Sequence, residues 1–126
     1  MALAYSDLFT DIARRIVWET MANGGATLNP ITGGEPASGY MVGGIAPSLT
    51  FAPGTIPGRM ISELIQYIAT NWTHGSFVGG WQDPDTFEYH FDISDRIDDR
   101  DFAIELGNRR GEIAIYDLAG KDSVYV

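Results

Sequence analysis

The sequence contains no cysteine. Disulfide bridges, zinc sites with thiolate ligands and cysteine nucleophiles are therefore excluded. Long apolar runs are also missing. No window approaches the roughly 18 consecutive apolar residues of a membrane helix, so no membrane association is expected. The first residues combine no basic stretch with a long apolar one, and they predict no secretory signal.

Basic residues are scarce. Eight Lys and Arg stand against 17 Asp and Glu, which gives a formal net charge of -9. So few cations cannot form a stripe that neutralises a row of phosphates, and direct nucleic-acid binding is not expected. The 126 residues are 44% hydrophobic and 20% charged, a composition typical of globular proteins. The chain is therefore predicted to form a single domain over residues 1–126.

The negative charge is concentrated in the second half of the chain. Residues 64–126 hold twelve acids and five bases, and most of the acids lie between Asp83 and Glu105. A surface of one sign speeds the encounter with an oppositely charged partner, so we predict a docking surface for a basic protein. The alternative is that the charge only keeps the domain soluble. The predicted docking residues are Asp83, Asp85, Glu88, Asp92, Asp95, Asp98, Asp99 and Asp101.

Apolar residues recur at helical spacing in three segments. They predict two long helices over residues 5–22 and 56–72, and a short one over residues 99–110. Pro57 suits a first helical turn, where its missing N–H has no cost. The candidate N-terminal caps are Ser6 or Asp7, Thr55, and Asp98 or Asp99, respectively.

Strict alternation over residues 87–93 predicts a half-buried strand, which pairs with residues 76–82 in a hairpin. Other strand-like segments suggest a second hairpin over residues 26–44 and strands at 112–118 and 123–126. Residues 49–51 read as an edge strand or an ordered loop. The predicted fold is therefore α+β. It is a small antiparallel sheet of sequential hairpins with two long helices and one short helix packed on it.

Paired glycines suggest one alternative function. Val42-Gly43-Gly44 and Val78-Gly79-Gly80 place glycine inside or after a strand, which marks a bulge, a sharp bend or a close approach of another group. In the second case, a shallow pocket with aromatic walls would suit a nucleobase. The candidate ligand-binding residues are Tyr40, Gly43, Gly44, Gly79, Gly80 and Trp81.

Recognisable catalytic motifs are missing from the sequence. Neither a phosphate-binding loop nor a calcium-binding loop is present, and no cofactor or metal is predicted. Glu88, His90 and Asp92 alternate along one predicted strand, so they could gather a cation or share a proton. The same pattern is also typical of a solvated strand face. A carboxylate-dependent enzyme is therefore the second alternative.

Short patches of the sequence carry a resemblance. They are Pro36–Val42, Gly79–Thr86, Phe91–Ser94, Ala103–Gly107 and Ala114–Leu118. In these patches the chain resembles small uncharacterised proteins of bacteriophages and mobile elements of high-GC bacteria. That group usually has Gly where this chain has Phe87, which indicates a different turn.

The resemblance implies a phage or plasmid setting in the cytoplasm of a bacterial host, where small acidic proteins often counter host defences. It transfers no catalytic residue. The leading hypothesis is a non-catalytic interaction protein, an anti-defence inhibitor that binds a host protein with a basic surface. The first alternative is a protein that binds or sequesters a nucleotide. A homo-oligomer is left open.

Overall fold

The structure is a computed structural model that describes the backbone of residues 5–126 and the side chains of residues 8–126. The side chains of the first seven residues are not among those described. The predicted caps Ser6 and Asp7 belong to this segment, as do the residues from which no secretory signal is predicted. The protein is α+β, with three helices and an antiparallel, curled sheet of seven strands. In chain order these are α1 (Tyr5–Asn23), β1 (Gly25–Leu28), β2 (Tyr40–Val42), β3 (Leu49–Phe51), α2 (Pro57–Asn71), β4 (Phe77–Gln82), β5 (Tyr89–Ile97), α3 (Arg100–Arg109), β6 (Ala114–Asp117) and β7 (Asp122–Tyr125).

The helix ends follow the sequence closely, with one exception. Gly24 ends α1 at a φ of 87°, a left-handed conformation that favours glycine. Asp99 caps α3, since its Oδ1 accepts a hydrogen bond of 2.9 Å from the N–H of Phe102. The prediction that Thr55 caps α2 is wrong. Its hydroxyl donates to the carbonyl of Ala52, and Ile56 precedes α2 without a side-chain cap.

Strand β5 is the centre of the sheet. It pairs with β4 along residues 89–94, with β3 along residues 89–91, and with β2 along its last three residues. The strand order is β1-β4-β5-β2-β6-β7, with β3 beside β5. The predicted hairpins β4–β5 and β6–β7 are present, and residues 49–51 form a paired strand.

The predicted hairpin over residues 26–44 is wrong. Strand β1 pairs with β4, while β2 pairs with β5 and β6, so β4 and β5 lie between them in the sheet. Both strands are short, and the long connection over residues 29–39 does not hold them together. Each pairs instead with a strand of the longer β4–β5 hairpin.

The β4–β5 turn is fastened by Asp83 and places Phe87 in an unusual backbone conformation. The Oδ1 of Asp83 accepts a hydrogen bond of 2.8 Å from the N–H of Asp85. Phe87 has a φ of 61°, in the left-handed region where glycine has no penalty.

The helices cover one face of the sheet. Alternate residues of β5, Tyr89, Phe91 and Ile93, are buried in the larger core with α1 and α2. A second cluster holds Ala103 of α3 and Ile115 of β6. The other residues of β5 lie on the opposite side, which no helix of residues 5–126 covers; we call it the open face. None of the described helices has the length and hydropathy needed to cross a membrane.

The double glycine of β4 is a site of close approach. The pairing of β4 with β5 runs without a bulge, and neither glycine has a positive φ. A Cβ at Gly80 would lie 3.0 Å from two ring carbons of Phe91 and would collide with the Oγ1 of Thr20 on α1. Helix α1 therefore packs against bare backbone. Within residues 5–126, the buried Thr20 hydroxyl has no hydrogen-bond partner.

We expect Gly80→Ala to destabilise the protein by roughly 1–3 kcal/mol, because the added methyl overpacks a fixed interface. In a Thr20→Ala background the same change should cost less, since the colliding hydroxyl is gone. Urea unfolding of the two single variants and the double variant measures this coupling. Additive changes in the free energy of unfolding would contradict the close contact between the two positions.

Candidate functional site

The open face holds the main concave surface found among the described residues. The curl of the sheet forms an open groove of about 1300 Å³. Strand β4 contributes Gly79 and Trp81 to it, and β5 contributes His90, Asp92 and Ser94. The segments around Glu35 and around Glu112 also line the groove. Most of its lining on β4 and β5 is therefore small or polar.

Two carboxylates meet in the groove. The Oδ2 of Asp92 and the Oε1 of Glu112 both lie within 3.0 Å of the point where a Cβ on Gly43 would stand. The Oδ1 of Asp92 lies 2.7 Å from the equivalent point on Gly79. Only glycine at these two positions leaves room for the pair. Glu112 is positioned by its own N–H, which donates to the carbonyl of Gly107 at the end of α3.

This carboxylate pair is electrostatically uncompensated. Burial, and then the negative charge of Glu112, raise the pKa of Asp92 to about 6. No ion pair or side-chain hydrogen bond to either carboxylate occurs within the part of the chain that the structure describes. Burial, and then the charge of Asp92, also raise the pKa of Tyr67 to about 12. Its hydroxyl donates to the carbonyl of Pro47 instead of to the carboxylate.

The nearest strong cation is already engaged. Arg110 donates from Nη1 to the carbonyls of Val42 and Gly43, at 3.2 and 3.1 Å. Its Nη2 lies 2.7 Å from the Oδ2 of Asp95. The guanidinium thus fastens the end of β2 and neutralises Asp95. It also lines a small pocket of about 350 Å³ next to the groove, together with Gly44 and Glu112.

An aromatic pair lies in another part of the groove. Trp81 and His90 face each other across β4 and β5, with ring centroids 5.5 Å apart and planes inclined by 33°. Trp81 is half exposed, so one side of its ring system is accessible to a partner. Exposed tryptophans of this kind are frequent anchors of protein interfaces.

The predicted acidic docking residues do not form one patch. Asp83, Asp85 and Glu88 precede β5, whereas Asp98, Asp99 and Asp101 follow it. A nine-residue strand such as β5 spans roughly 27 Å. Of the predicted residues only Asp92 lines the groove, and Asp95 is held by Arg110.

Several of these acids have structural roles. Asp83 accepts hydrogen bonds from the N–H groups of Asp85 and Thr86, which lower its pKa. Asp98 forms an ion pair of 2.8 Å with Arg96, and Asp99 caps α3. Asp85 and Asp101 are exposed, and their side chains form no ion pair or hydrogen bond within the described part of the chain. Proximity in sequence therefore does not make these acids a single surface.

The predicted ligand-binding residues are only partly assembled. Gly43, Gly79, Gly80 and Trp81 line the groove. Gly44 lines the small pocket instead, and Tyr40 packs in the second core cluster with α3. Lys121 is the single Lys or Arg among the described residues that line the groove. Carboxylates on the floor and one lysine at the side give a nucleotide's phosphates little support.

Most of the lining residues of the groove were not predicted as site residues, among them Met41, Ser94 and Glu112. Continuing the alternation of β5 by two positions would have placed Ser94 on the same face as Asp92. The residues around Glu112 give no indication of a site, because its proximity to Asp92 depends on how the segment after α3 packs against β5. Of the three residues predicted to alternate on one strand, His90 and Asp92 lie on β5 and line the groove, whereas Glu88 precedes β5 and does not line it.

The comparisons with known proteins give no indication of function, so the groove is the main basis for inferring it. No protein-family model matches the chain, and neither the curated proteins nor the solved structures give a match. The resemblance to phage proteins therefore stays a prediction.

We expect Asp92→Asn to stabilise the protein at about pH 7.5. The pKa of Asp92 rises from 3.8 to about 6 on folding, so its contribution favours the fold at low pH and is lost as pH rises through 6. Removing the carboxylate should therefore add roughly 1–3 kcal/mol at about pH 7.5 and little at about pH 4. Urea unfolding at both pH values measures the difference.

The matched control is Asp85→Asn, which removes an equal charge at an exposed turn position. It should show no comparable dependence on pH. An Asp92→Asn variant that is no more stable than the wild type at about pH 7.5 would show that the buried carboxylate is not destabilising.

Proposed function

We propose that this chain is a non-catalytic interaction protein that binds a basic segment of another protein in the groove of the open face. The observation that carries the proposal is the uncompensated pair of Asp92 and Glu112. Within the described residues, neither carboxylate has an ion pair, and the neighbouring Arg110 is bound to Asp95 instead, so the pair has an unfavourable electrostatic energy. A partner that supplies a positive charge relieves it.

The charge of the whole groove supports a basic occupant. Acidic residues outnumber basic ones along its lining, and the acid Glu19 is itself 3.7 Å from Arg15 outside the groove. The charged residues of the lining are Glu19, Glu35, Asp92, Glu112 and Lys121, and His90 lies among them.

The dimensions of the groove favour a protein segment over a small ligand. Sites for small molecules usually enclose about 300–1000 Å³, whereas this groove is open and has about 1300 Å³. The half-exposed Trp81 offers a large apolar contact at one place in it. An extended or looped peptide could contact Trp81 and the carboxylate pair together.

The exposed acids at the two ends of β5 take a secondary role in this proposal. Asp85 and Asp101 contribute to the net charge of -9 and to the field that attracts a basic partner from a distance. We place the activity in the bacterial cytoplasm, with a host protein as the partner and inhibition of a host defence as the outcome. These parts of the proposal are supported by the resemblance to phage proteins.

A carboxylate-dependent enzyme is the second candidate. It is favoured by the pKa of about 6 at Asp92, in the range of a general acid near neutral pH. The two candidates differ in what happens to the bound molecule. The binding proposal expects a peptide ligand to be recovered unchanged after prolonged incubation, whereas an enzyme would release product.

The binding proposal is tested with a fluorescent hexa-arginine peptide and the full chain. We expect the double variant Asp92→Asn/Glu112→Gln to bind it at least about tenfold more weakly than the wild type. The matched control is Asp85→Asn/Asp101→Asn, which removes the same charge outside the groove. It should weaken binding less, and mostly at low salt, because exposed charges are screened. Fluorescence anisotropy at low and physiological salt measures both.

Three outcomes would overturn the proposal. Equal effects of the two double variants would mean that only the overall field attracts the peptide. An absence of peptide binding would remove its basis. A dimer in sedimentation experiments that the groove variant dissociates would show that a second copy of the chain occupies the groove instead.

A further inference from the structure

One edge of the curled sheet has unpaired backbone groups. Strand β1 stands at the end of the strand order and pairs only with β4. The N–H of Gln82 donates to the carbonyl of Gly24, and the direction of the backbone groups alternates from there along the antiparallel pair. The N–H and carbonyl groups of Gly25 and Thr27 therefore point away from β4. Within residues 5–126 these four groups form no hydrogen bond.

The chain that follows β1 does not pair with this edge. It reverses beyond Leu28, where the N–H of Asn29 donates to the carbonyl of Gly34 and the N–H of Gly33 donates to the carbonyl of Asn29. Arg15 of α1 fastens the reversal with a hydrogen bond of 2.9 Å to the carbonyl of Gly33. In the described part of the chain, no backbone hydrogen bond joins this connection to β1. Strand β1 thus keeps a row of free donors and acceptors beside the groove.

The opposite edge of the sheet is protected, whereas β1 is not. On β7 the outward N–H of Ser123 already donates to the Oδ1 of Asp122 at 2.9 Å. Lys121 and Asp122 also place charges at the start of that strand. Natural sheets protect their edges with charges, prolines or bulges, because an unprotected edge pairs readily with another chain. Strand β1, with the sequence Gly-Ala-Thr-Leu, has none of these.

An aromatic side chain lies beside the free edge. Gly25 is directly opposite Trp81 in the pairing of β1 with β4, and a Cβ on Gly25 would lie 4.0 Å from the Cδ1 of Trp81. The indole is 51% exposed, and the bare glycine leaves it within reach of a strand on the outer side of β1. A large side chain opposite Gly25 can pack across the glycine against the indole, as aromatic residues do over edge glycines in other sheets.

We propose that an extended segment of the basic partner adds to the free edge of β1 as a further strand and packs one apolar side chain over Gly25 against Trp81. Its backbone satisfies the outward groups of Gly25 and Thr27, and this supplies affinity that does not depend on the sequence of the segment. The side chain against Trp81 supplies specificity. The inference rests on the proposed function and deepens it, because it gives the conformation of the bound segment and one residue class that it must contain.

The charges around the edge fit a basic segment. Strand β1 is itself uncharged, and the charged lining residues of the groove that are nearest to it along the chain are both acids, Glu19 before the strand and Glu35 after it. Glu35 is exposed and has no ion pair among the described residues. A second copy of this chain, with a net charge of -9, would bring further acids to the same place. A basic partner is therefore favoured over self-association.

The probe is a seven-residue peptide that alternates arginine with valine and has phenylalanine as its central residue. Amide hydrogen exchange in the full chain is followed by NMR with and without this peptide. The amides of Gly25 and Thr27 have no partner in the free protein, so we expect their exchange to slow by at least about tenfold in the complex. The amide of Tyr125, which points outward from β7, is the matched control and should not change. Binding without slower exchange at Gly25 and Thr27 would overturn the proposal.

Thr27→Pro tests the edge by mutation. The N–H of Thr27 is not used in the sheet, so proline is compatible with the fold there but blocks an added strand. We expect thermal unfolding close to that of the wild type and a loss of at least about tenfold in peptide affinity. Tyr125→Pro makes the same change at the other edge and should keep the affinity. Equal losses in the two variants would contradict strand addition at β1, and the exchange measurement on the wild type decides if a proline variant does not fold.

Trp81→Ala tests the contact with the apolar side chain. We expect this variant to bind the peptide about three- to tenfold more weakly. Replacing the peptide's phenylalanine with alanine should weaken binding to the wild type by a similar factor and binding to Trp81→Ala much less, because the two groups contact each other. Phe102→Ala removes an aromatic residue of similar exposure on α3 and should change neither affinity. Additive effects of the protein and peptide changes would overturn the contact with Trp81.

The two proposals fail separately. If the hexa-arginine peptide binds and is weakened by the groove variant, while the alternating peptide leaves the exchange of Gly25 and Thr27 unchanged, only strand addition is wrong. If neither peptide binds, the proposed function and strand addition are both wrong. A dimer of the free protein that Thr27→Pro dissociates would show that a second copy covers the edge, and it would overturn the inference.

Discussion

The register of strand β5 determines both the core and the groove. This strand pairs with β2, β3 and β4, so three other strands depend on its position. Phe91 and Ile93 on one side are buried under the helices, while Asp92 and Ser94 line the groove on the other. A slip by one residue would exchange the two sides. The apolar side therefore holds the polar side in place, and the groove needs no stabilising contacts of its own.

The groove holds groups that a core optimised for stability would not retain. Asp92 has a raised pKa beside Glu112, and the polar Ser94 is only 4% exposed. The glycines at positions 43 and 79 leave space that only these carboxylates use. Local features that lower stability without a compensating contact tend to cluster where a protein binds or reacts. Their coincidence in one recess is the physical basis for assigning function to it.

The acids outside the groove show how tertiary structure divides a charged segment. Asp99 caps a helix, Asp95 holds Arg110 against β2, and Asp98 pairs with Arg96. Each of these contacts uses the negative charge locally. What remains for long-range attraction is the net charge of the molecule, which depends only on composition.

The sequence by itself determined the local elements. Helical spacing predicted all three helices, and alternation over residues 87–93 predicted the β4–β5 hairpin. Asp98 or Asp99 was predicted to begin α3, and Asp99 does so. These signals act within a few residues along the chain, so the sequence displays them directly. The sequence also limited the interpretation of the double glycine of β4 to a bulge, a sharp bend or a close approach of another group.

Only the tertiary structure decided which strands pair and which side chains meet. Strands β1 and β2 have many available edges, and the choice among them depends on competition across the whole sheet. The pair of Asp92 and Glu112 exists because the segment after α3 returns to β5 beside Gly43. No spacing in the sequence encodes that contact, since it joins residues far apart in the chain through the packing of three separate elements.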